Sequence, residues 1–239
     1  MTYAKAFFDL QLEFARRISA FSGFDLSIAL LKYTNLYVRF GLGRDFDPGH
    51  PRWHDYLMGL RDAADVSGWT YRFYLTRPET VAPPGVVAMF GCFAYARLSA
   101  GRLRLHFHNA EADVRSPLAR EQEGQRLAEL AALFEHVKRT EQQPLTVVGA
   151  SWLYNLDAYR RLFPKQYLAT ARVIRGRFQH LPLWGQFVDR HGTVKEGMAA
   201  EFLERLARQS SVEHLDECFP FQVLGLEAPV WPFFEQHGL

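Results

Sequence analysis

Four basic side chains occupy alternate positions of one short segment: Arg102, Arg104, His106 and His108. Alternate residues of a β-strand share a face, so a strand here would present all four side chains together. An imidazole can act as a general base, and the carboxylate of Glu111 just beyond could orient it. We therefore predict His106, His108 and Glu111 as catalytic residues, with Arg104 holding an anionic part of a substrate.

The same pair of imidazoles has two other interpretations. Two histidines on one strand face, with a carboxylate nearby, could supply three ligands to Zn or Fe. The next histidines that a metal site could use, His136, His180 and His191, are distant in the sequence. An antiparallel sheet with one solvated face requires the same alternation, so the segment could also be a plain surface. No residue is assigned as a metal ligand, and the three interpretations remain open.

A second polar group follows the short apolar segment 145–150, which is typical of a buried strand. Ligands of α/β sheets bind at the carboxyl ends of the strands, where helix N-termini offer free N–H groups. An aromatic side chain there could line a pocket, so Trp152 and Asn155 are predicted to bind a ligand or cofactor, with Tyr154 as the candidate catalytic residue beside them. The alternative is that the aromatic rings belong to the core and that Asn155 caps the next helix.

The elements that must position these residues begin with helices. A stripe of apolar residues at three- and four-residue spacing predicts a helix that ends at Gly23: Phe7, Leu10, Phe14, Ile18 and Phe21. Asp25 is expected to cap a second helix that runs to Phe40, and residues 52–65 are expected to form a third. The aromatic segment 69–75 predicts the first strand.

A β-hairpin is predicted next. The segment 86–97 is apolar at alternating positions on both faces, as a central strand requires. A two-residue turn at Ser99-Ala100 would join it to a strand over 102–108. That turn sets the expected register of opposite residues: Phe93 with His106 and Tyr95 with Arg104.

The remaining segments are predicted to alternate between helix and strand. In chain order these are a helix from Ser116-Pro117 to Lys138, a strand over 145–150, a helix over 157–163, strands over 167–174 and 184–188, a helix over 195–209, and short edge strands or extended segments in the last thirty residues. This order predicts an α/β fold with a mixed α+β sheet. We expect an N-terminal helical segment, residues 1–66, packed on a mixed α/β core of residues 67–239, as one compact domain.

This order of elements resembles that of the GNAT acyltransferases over about residues 69–178. The segment from Asn155 to Ala158-Tyr159 is similar to the part of that family that lies near the thioester of acyl-CoA. The resemblance implies acyl-CoA as the cofactor, bound where the central sheet splays, with Tyr154 or Asn155 near the leaving thiolate. Residues 115–120 differ from the family's glycine-rich pyrophosphate loop, and no glycine precedes Gly124.

Charge and composition exclude several classes of protein. The formal net charge is +2, from 28 Lys and Arg against 26 Asp and Glu, which argues against a nucleic-acid-binding protein. The two cysteines, Cys92 and Cys218, stand in apolar contexts and are expected to be small buried hydrophobes. A cytoplasmic, bacterial protein with a small-molecule ligand and no membrane contact is expected. The function could equally be that of a non-enzymatic module that binds a ligand or partner.

Overall fold

The computed structural model describes residues 2–78, 85–98, 101–109, 116–142, 145–174 and 181–239. The chain divides into two compact units, Met1–Val81 with Arg175–Gln222, and Ala82–Ile174 with Val223–Leu239. The first unit therefore takes in a second stretch of chain besides the N-terminal helices, and its boundaries differ from the expected segment 1–66 and core 67–239. Within the described residues, no helix is long and apolar enough to cross a membrane.

The described part of the chain folds into helices and one six-stranded mixed sheet, which confirms the predicted α/β class. The helices are α1 (Lys5–Ser22), α2 (Leu26–Tyr33), α3 (Leu36–Arg39), α4 (Pro51–Asp62), α5 (Val66–Leu75), α6 (Glu123–Thr140), α7 (Asp157–Arg160), α8 (Lys165–Leu168), α9 (Leu181–Trp184), α10 (Glu196–Ala207) and α11 (Trp231–Gln236). The strands are β1 (Val86–Phe90), β2 (Phe93–Arg97), β3 (Arg102–Phe107), β4 (Thr146–Ser151), β5 (Arg172–Val173) and β6 (Leu224–Pro229).

The first helices follow their predicted signals. Helix α1 ends at Gly23, whose φ of 73° is left-handed and whose N–H donates to the Ser19 carbonyl. Asp25 caps α2 by accepting the Ser27 N–H at 2.8 Å. The predicted second helix is interrupted at Thr34, which is extended and whose Oγ1 donates to the Leu30 carbonyl. That local hydrogen bond competes with the helix ladder, so α2 and α3 are separate.

The segment 69–75 was predicted as a strand, and this prediction is wrong because the segment lies in α5. Asp65 caps that helix by accepting the Gly68 N–H at 2.8 Å. Trp69 and Phe73 are four residues apart and share one helix face, and the Trp69 indole donates to the Tyr56 carbonyl of α4. Packing against α4 therefore outweighs the strand preference of the aromatic residues.

The sheet belongs to the second unit and has the order β1-β2-β3-β4-β6-β5. The pair β3–β4 is parallel, and the other neighbouring pairs are antiparallel. One face carries the apolar side chains of β2, β3 and β4 and packs against α6. The opposite face carries the alternating polar side chains of β3.

The predicted hairpin register is off by one residue. Phe93 lies opposite Phe107, and Ala94 lies opposite His106. Gly101 has a φ of 69°, and Leu98 N–H donates to the Arg102 carbonyl, so the loop is one residue longer than the expected two. The observed register brings the apolar side chains of both strands to the same face, which a slip of one residue would prevent.

Several later boundaries also differ from the predictions. Helix α6 begins at Glu123, after a 3₁₀ turn at Arg120–Gln122, rather than at Pro117. Residues 167–174 contribute α8 and the two-residue β5. Residues 184–187 lie in α9 and a 3₁₀ turn, and Val188 forms an isolated β-bridge with Val194, so the predicted strand over 184–188 is not found. The last thirty residues are not edge strands, because β6 lies between β4 and β5 and α11 follows it.

Candidate active site

The parallel strands β3 and β4 are paired over only three residues each, ending at Arg104 and Val148. Strand β3 nevertheless continues to Phe107 and β4 to Ser151. We call the two continuing segments, 105–108 and 149–151, the β3–β4 fork. Both strands run in the same direction, so the fork lies at their carboxyl ends, where the sheets of α/β proteins bind ligands.

Arg104 and His106 share the polar face of β3, as predicted. Arg104 is exposed and His106 is half-buried. Their neighbours across β2 are Ala96 and Ala94, whose short side chains leave room above the sheet for the longer ones. Arg102 on the same face forms an ion pair with Glu227 of β6 at 2.9 Å. Its charge is therefore compensated from β6, which lies on the far side of β4 in the sheet.

His108 follows the end of β3, and its backbone N–H donates to the Cys92 carbonyl at 3.0 Å. Its Nε2 is buried and has no hydrogen-bond partner among the described residues. Burial lowers the pKa of His108, and the negative charge of Glu129 opposes this effect only in part. The imidazole is therefore neutral at physiological pH, with a ring nitrogen that the fold does not use.

The residues beside His108 form a charged network that the sequence analysis did not find. Glu129 accepts the Cys92 N–H at 2.9 Å and forms an ion pair with Arg126 at 3.0 Å. The Arg126 side chain is fully buried, and its guanidinium also contacts the Cys92 thiol. A Cβ on Gly91, which has a φ of 56°, would lie 2.0 Å from a Glu129 oxygen.

Cys92 is buried, as expected, but its surroundings are polar. A signal for this network was present in the sequence, because Arg126 falls on the apolar stripe of α6 at four residues before Leu130 and seven before Leu133. A cation at a core position needs a buried partner. Cys218 fits the expectation of a small buried hydrophobe better, because burial raises the pKa of its thiol to about 11 and keeps the thiol protonated.

Tyr154 lies beneath the fork in a cluster of buried phenols. Its hydroxyl is 2.9 Å from that of Tyr167, and it also interacts with the Tyr159 hydroxyl. Burial raises the pKa of all three phenols, so they remain protonated. A Cβ on Gly149 would lie 2.2 Å from two of these hydroxyls, those of Tyr154 and Tyr167. The hydroxyls therefore lie directly against the first β4 residue beyond the paired region.

Trp152 and Asn155 lie in the 3₁₀ turn that follows β4. The Asn155 amide donates to the Trp152 carbonyl at 2.7 Å, and both residues are half-buried. Asn155 does not cap α7, contrary to the alternative interpretation, because that helix has no side-chain cap. Ser151 instead caps the 3₁₀ turn by accepting the Leu153 N–H at 3.1 Å.

His106 and His108 thus lie on one arm of the fork, with Arg104 at its base, and Trp152, Tyr154 and Asn155 follow the end of the other arm. Glu111 lies outside the described residues, so its predicted role is not examined by the structure. Among the residues that are described, no group of three or more His, Cys, Asp or Glu side chains could hold a metal ion. Comparison of the chain with protein families, curated proteins and solved structures returned no match.

Proposed function

We propose that the second unit is a GNAT-like acyltransferase that moves an acyl group from a thioester to a small polar acceptor. The observation that carries this proposal is the β3–β4 fork, where pairing ends at Arg104 and Val148 although both strands continue. The strand order, with β3–β4 as the parallel pair in an otherwise antiparallel set of described strands, also supports it.

The fork suits an extended ligand that carries amide groups. Backbone N–H and C=O groups that face a vacated position beside a strand need partners. A linear thioester arm with amides can supply these hydrogen bonds in the way that an added strand does. Such a ligand would bring its sulfur toward the carboxyl ends of β3 and β4.

His108 is suited to the role of general base, and His106 is the second candidate on the same arm. In the proposed step, the acceptor nitrogen or oxygen attacks the thioester carbonyl and forms the new C–N or C–O bond. The C–S bond breaks, His108 Nε2 takes the acceptor proton and passes it to the departing thiolate, and the Tyr154 hydroxyl or the Asn155 amide donates a hydrogen bond to that sulfur. The Glu129 charge favours the imidazolium that forms.

Arg104 supplies an exposed positive charge on the same face as His106. A guanidinium binds carboxylate or phosphate oxygens in a bidentate manner. We therefore propose that Arg104 holds an anionic group of the acceptor. This role would restrict the acceptor to small polar molecules that carry a negative charge near the reacting amine or hydroxyl.

The start of α6 fits a polyphosphate less well than the fork fits a thioester. Glu123 is the first residue of α6, and Glu121 lies in the 3₁₀ turn before it. Negative side chains near a helix N-terminus disfavour a second anion there. The fork is therefore proposed to bind the thioester and its amide arm, and comparison of a CoA thioester with a short thioester tests whether the nucleotide is also bound.

Binding of acyl thioesters tests the proposal directly. Acetyl-CoA, a longer acyl-CoA and the short thioester S-acetyl-N-acetylcysteamine should each raise the melting temperature in a saturable manner. A response to the short thioester alone would indicate that the nucleotide is not recognised. If none of the three stabilises the protein at millimolar concentration, the proposal fails.

Transfer activity then separates an enzyme from a binding module. Thiol release from the bound donor, measured with a panel of small anionic amines, should fall roughly 10²- to 10⁴-fold in a His108→Gln variant while donor affinity is kept. His54→Gln changes an exposed histidine of α4 and serves as the control. Binding without turnover would favour the non-enzymatic alternative, and stoichiometric Zn, Fe or Mn in the purified protein would favour the metal-dependent one.

A further inference from the structure

A second polar cluster lies in the first unit, around the guanidinium of Arg39 on α3. Its carbon Cζ lies 4.3 Å from the centre of the Tyr3 ring and 5.7 Å from that of Phe7. The Nε of Arg39 is buried and has no hydrogen-bond partner among the described residues. No carboxylate forms an ion pair with Arg39 among the residues that the structure describes, and its charge is therefore enclosed by aromatic rings without an acidic neighbour.

Asn35 lies one helical turn before Arg39, whose N–H donates to the Asn35 carbonyl at 3.0 Å. The two side chains therefore project from the same side of that turn. Asn35 is fully buried, and in the part of the chain that the structure describes neither its Oδ1 nor its Nδ2 has a hydrogen-bond partner. Its backbone N–H is held by Gln11 Oε1 at 2.9 Å, so the position of the residue is fixed while its amide is left unused.

A second arginine, Arg77, lies near Tyr3 through its contact with Tyr74. Tyr3 N–H donates to the Tyr74 hydroxyl at 3.0 Å, which joins the chain before α1 to the end of α5. The Arg77 guanidinium stacks on the Tyr74 ring at 3.9 Å and donates to the Tyr74 carbonyl. Within the described chain, Arg77 also lacks an acidic partner. We call Tyr3, Asn35, Arg39, Tyr74 and Arg77 the Arg39 cluster.

An enclosed positive charge without a counter-ion is costly, because the desolvation of the guanidinium is not offset. Burial lowers the pKa of Arg39, and the neighbouring phenols of Tyr3 and Tyr74 oppose this effect only in part. A buried amide with both polar atoms unused adds a second penalty of the same kind. One small anion would offset the first penalty and lessen the second, since its oxygens can accept from the guanidinium and from the Asn35 Nδ2–H group.

We propose that the Arg39 cluster is a binding site for a small oxyanion, such as the carboxylate or phosphate group of a metabolite. The guanidinium binds either group through two parallel N–H donors, and the rings of Tyr3 and Phe7 hold the guanidinium plane in place. Arg39 and Tyr3 are both half-buried, so the cluster lies at the margin of the core, where a small anion can enter. The site belongs to the first unit and is independent of the proposed acyltransferase function.

Anion titrations at constant ionic strength test this site. Sodium phosphate and sodium acetate, each replacing sodium chloride, are compared by melting temperature and by isothermal calorimetry on the full chain. Saturable stabilisation by phosphate alone identifies a phosphate group, and stabilisation by acetate alone identifies a carboxylate. If neither anion stabilises the protein more than chloride does, the proposal is overturned.

Substitutions test whether stabilisation by anions arises at the Arg39 cluster. Arg39→Met keeps an apolar stem against the Tyr3 ring and should weaken anion binding by roughly tenfold to a hundredfold, because it removes charged hydrogen bonds. Asn35→Asp supplies an internal carboxylate beside Arg39, so this variant should fold with equal or higher stability and lose the anion response. Arg61→Met removes an exposed cation of α4 as the control. An unchanged anion response in both Arg39→Met and Asn35→Asp would refute the assignment.

Discussion

The Arg126–Glu129 pair offers the sharpest test of the geometry beside His108. We predict that Glu129→Gln destabilises the protein and lowers the pKa of His108. Glutamine keeps the shape of the side chain, and its carbonyl can still accept the Cys92 N–H. The substitution therefore removes the negative charge and changes little else.

The expected loss of unfolding free energy follows from the burial of the Arg126–Glu129 pair. The Arg126 side chain is 0% exposed and that of Glu129 is 12% exposed, and their charged atoms are 3.0 Å apart. Breaking one partner of such a buried pair costs about 3 kcal/mol of unfolding free energy, because a buried cation loses its compensating charge. The negative charge of Glu129 also raises the pKa of His108, so its removal leaves burial to lower that pKa further.

Urea denaturation measures the first effect, and an NMR titration of the imidazole protons measures the second. The His108 signal is assigned by its loss in His108→Gln. Glu135→Gln, at an exposed position of α6, should change stability by less than about 0.5 kcal/mol and serves as the control. A Glu129→Gln variant that is as stable as the wild type, with the pKa of His108 unchanged or raised, would refute the reasoning.

Three further predictions follow from particular contacts. Gly149→Ala should lower the unfolding free energy by about 1–3 kcal/mol, because its Cβ would lie 2.2 Å from two phenol hydroxyls. By contrast, Gly197→Ala should raise the unfolding free energy by about 0.5–1 kcal/mol, because Gly197 lies in α10 and faces open space. Burial lowers the folded-state pKa of His237 below its unfolded value of about 6.5, so stability should fall as the pH falls from neutral toward that lower value. Denaturation midpoints of His237→Gln should show a weaker loss over this range, whereas those of His54→Gln should follow the wild type. Asp25→Ala should cost about 1 kcal/mol in a thermal or urea melt, because α2 loses its cap.

Local signals in the sequence predicted the elements whose ends are set by neighbouring residues. Gly23 and Asp25 act within a few residues of the positions that they terminate or cap, so both were identified correctly. Strand β3 was predicted for the same reason, since the alternation of its side chains needs no distant partner. The hairpin register failed by one residue because it depends on the left-handed Gly101, which lengthens the loop.

The candidate site was predicted less completely, because its chemistry depends on residues far apart in the chain. Glu129 is 37 residues from Cys92 in the sequence, and no local pattern around Cys92 predicts a carboxylate that accepts its N–H. The burial of Tyr154 depends on two residues elsewhere in the chain. Gly149 leaves space for its hydroxyl, and the Tyr167 hydroxyl forms a hydrogen bond with it. The segment 69–75 was misassigned on similar grounds, because the contact of Trp69 with Tyr56 decides its conformation.

The position of β6 in the sheet has a consequence for the order of assembly during translation. This strand lies between β4 and β5, yet it leaves the ribosome after every other described strand. Until residues 224–229 have emerged, β5 has no neighbour through which to join the sheet, and one edge of β4 stays uncovered. Nascent chains should therefore expose that edge while residues 152–229 are being synthesised, which is the period in which a chaperone that shields unpaired strands would matter most.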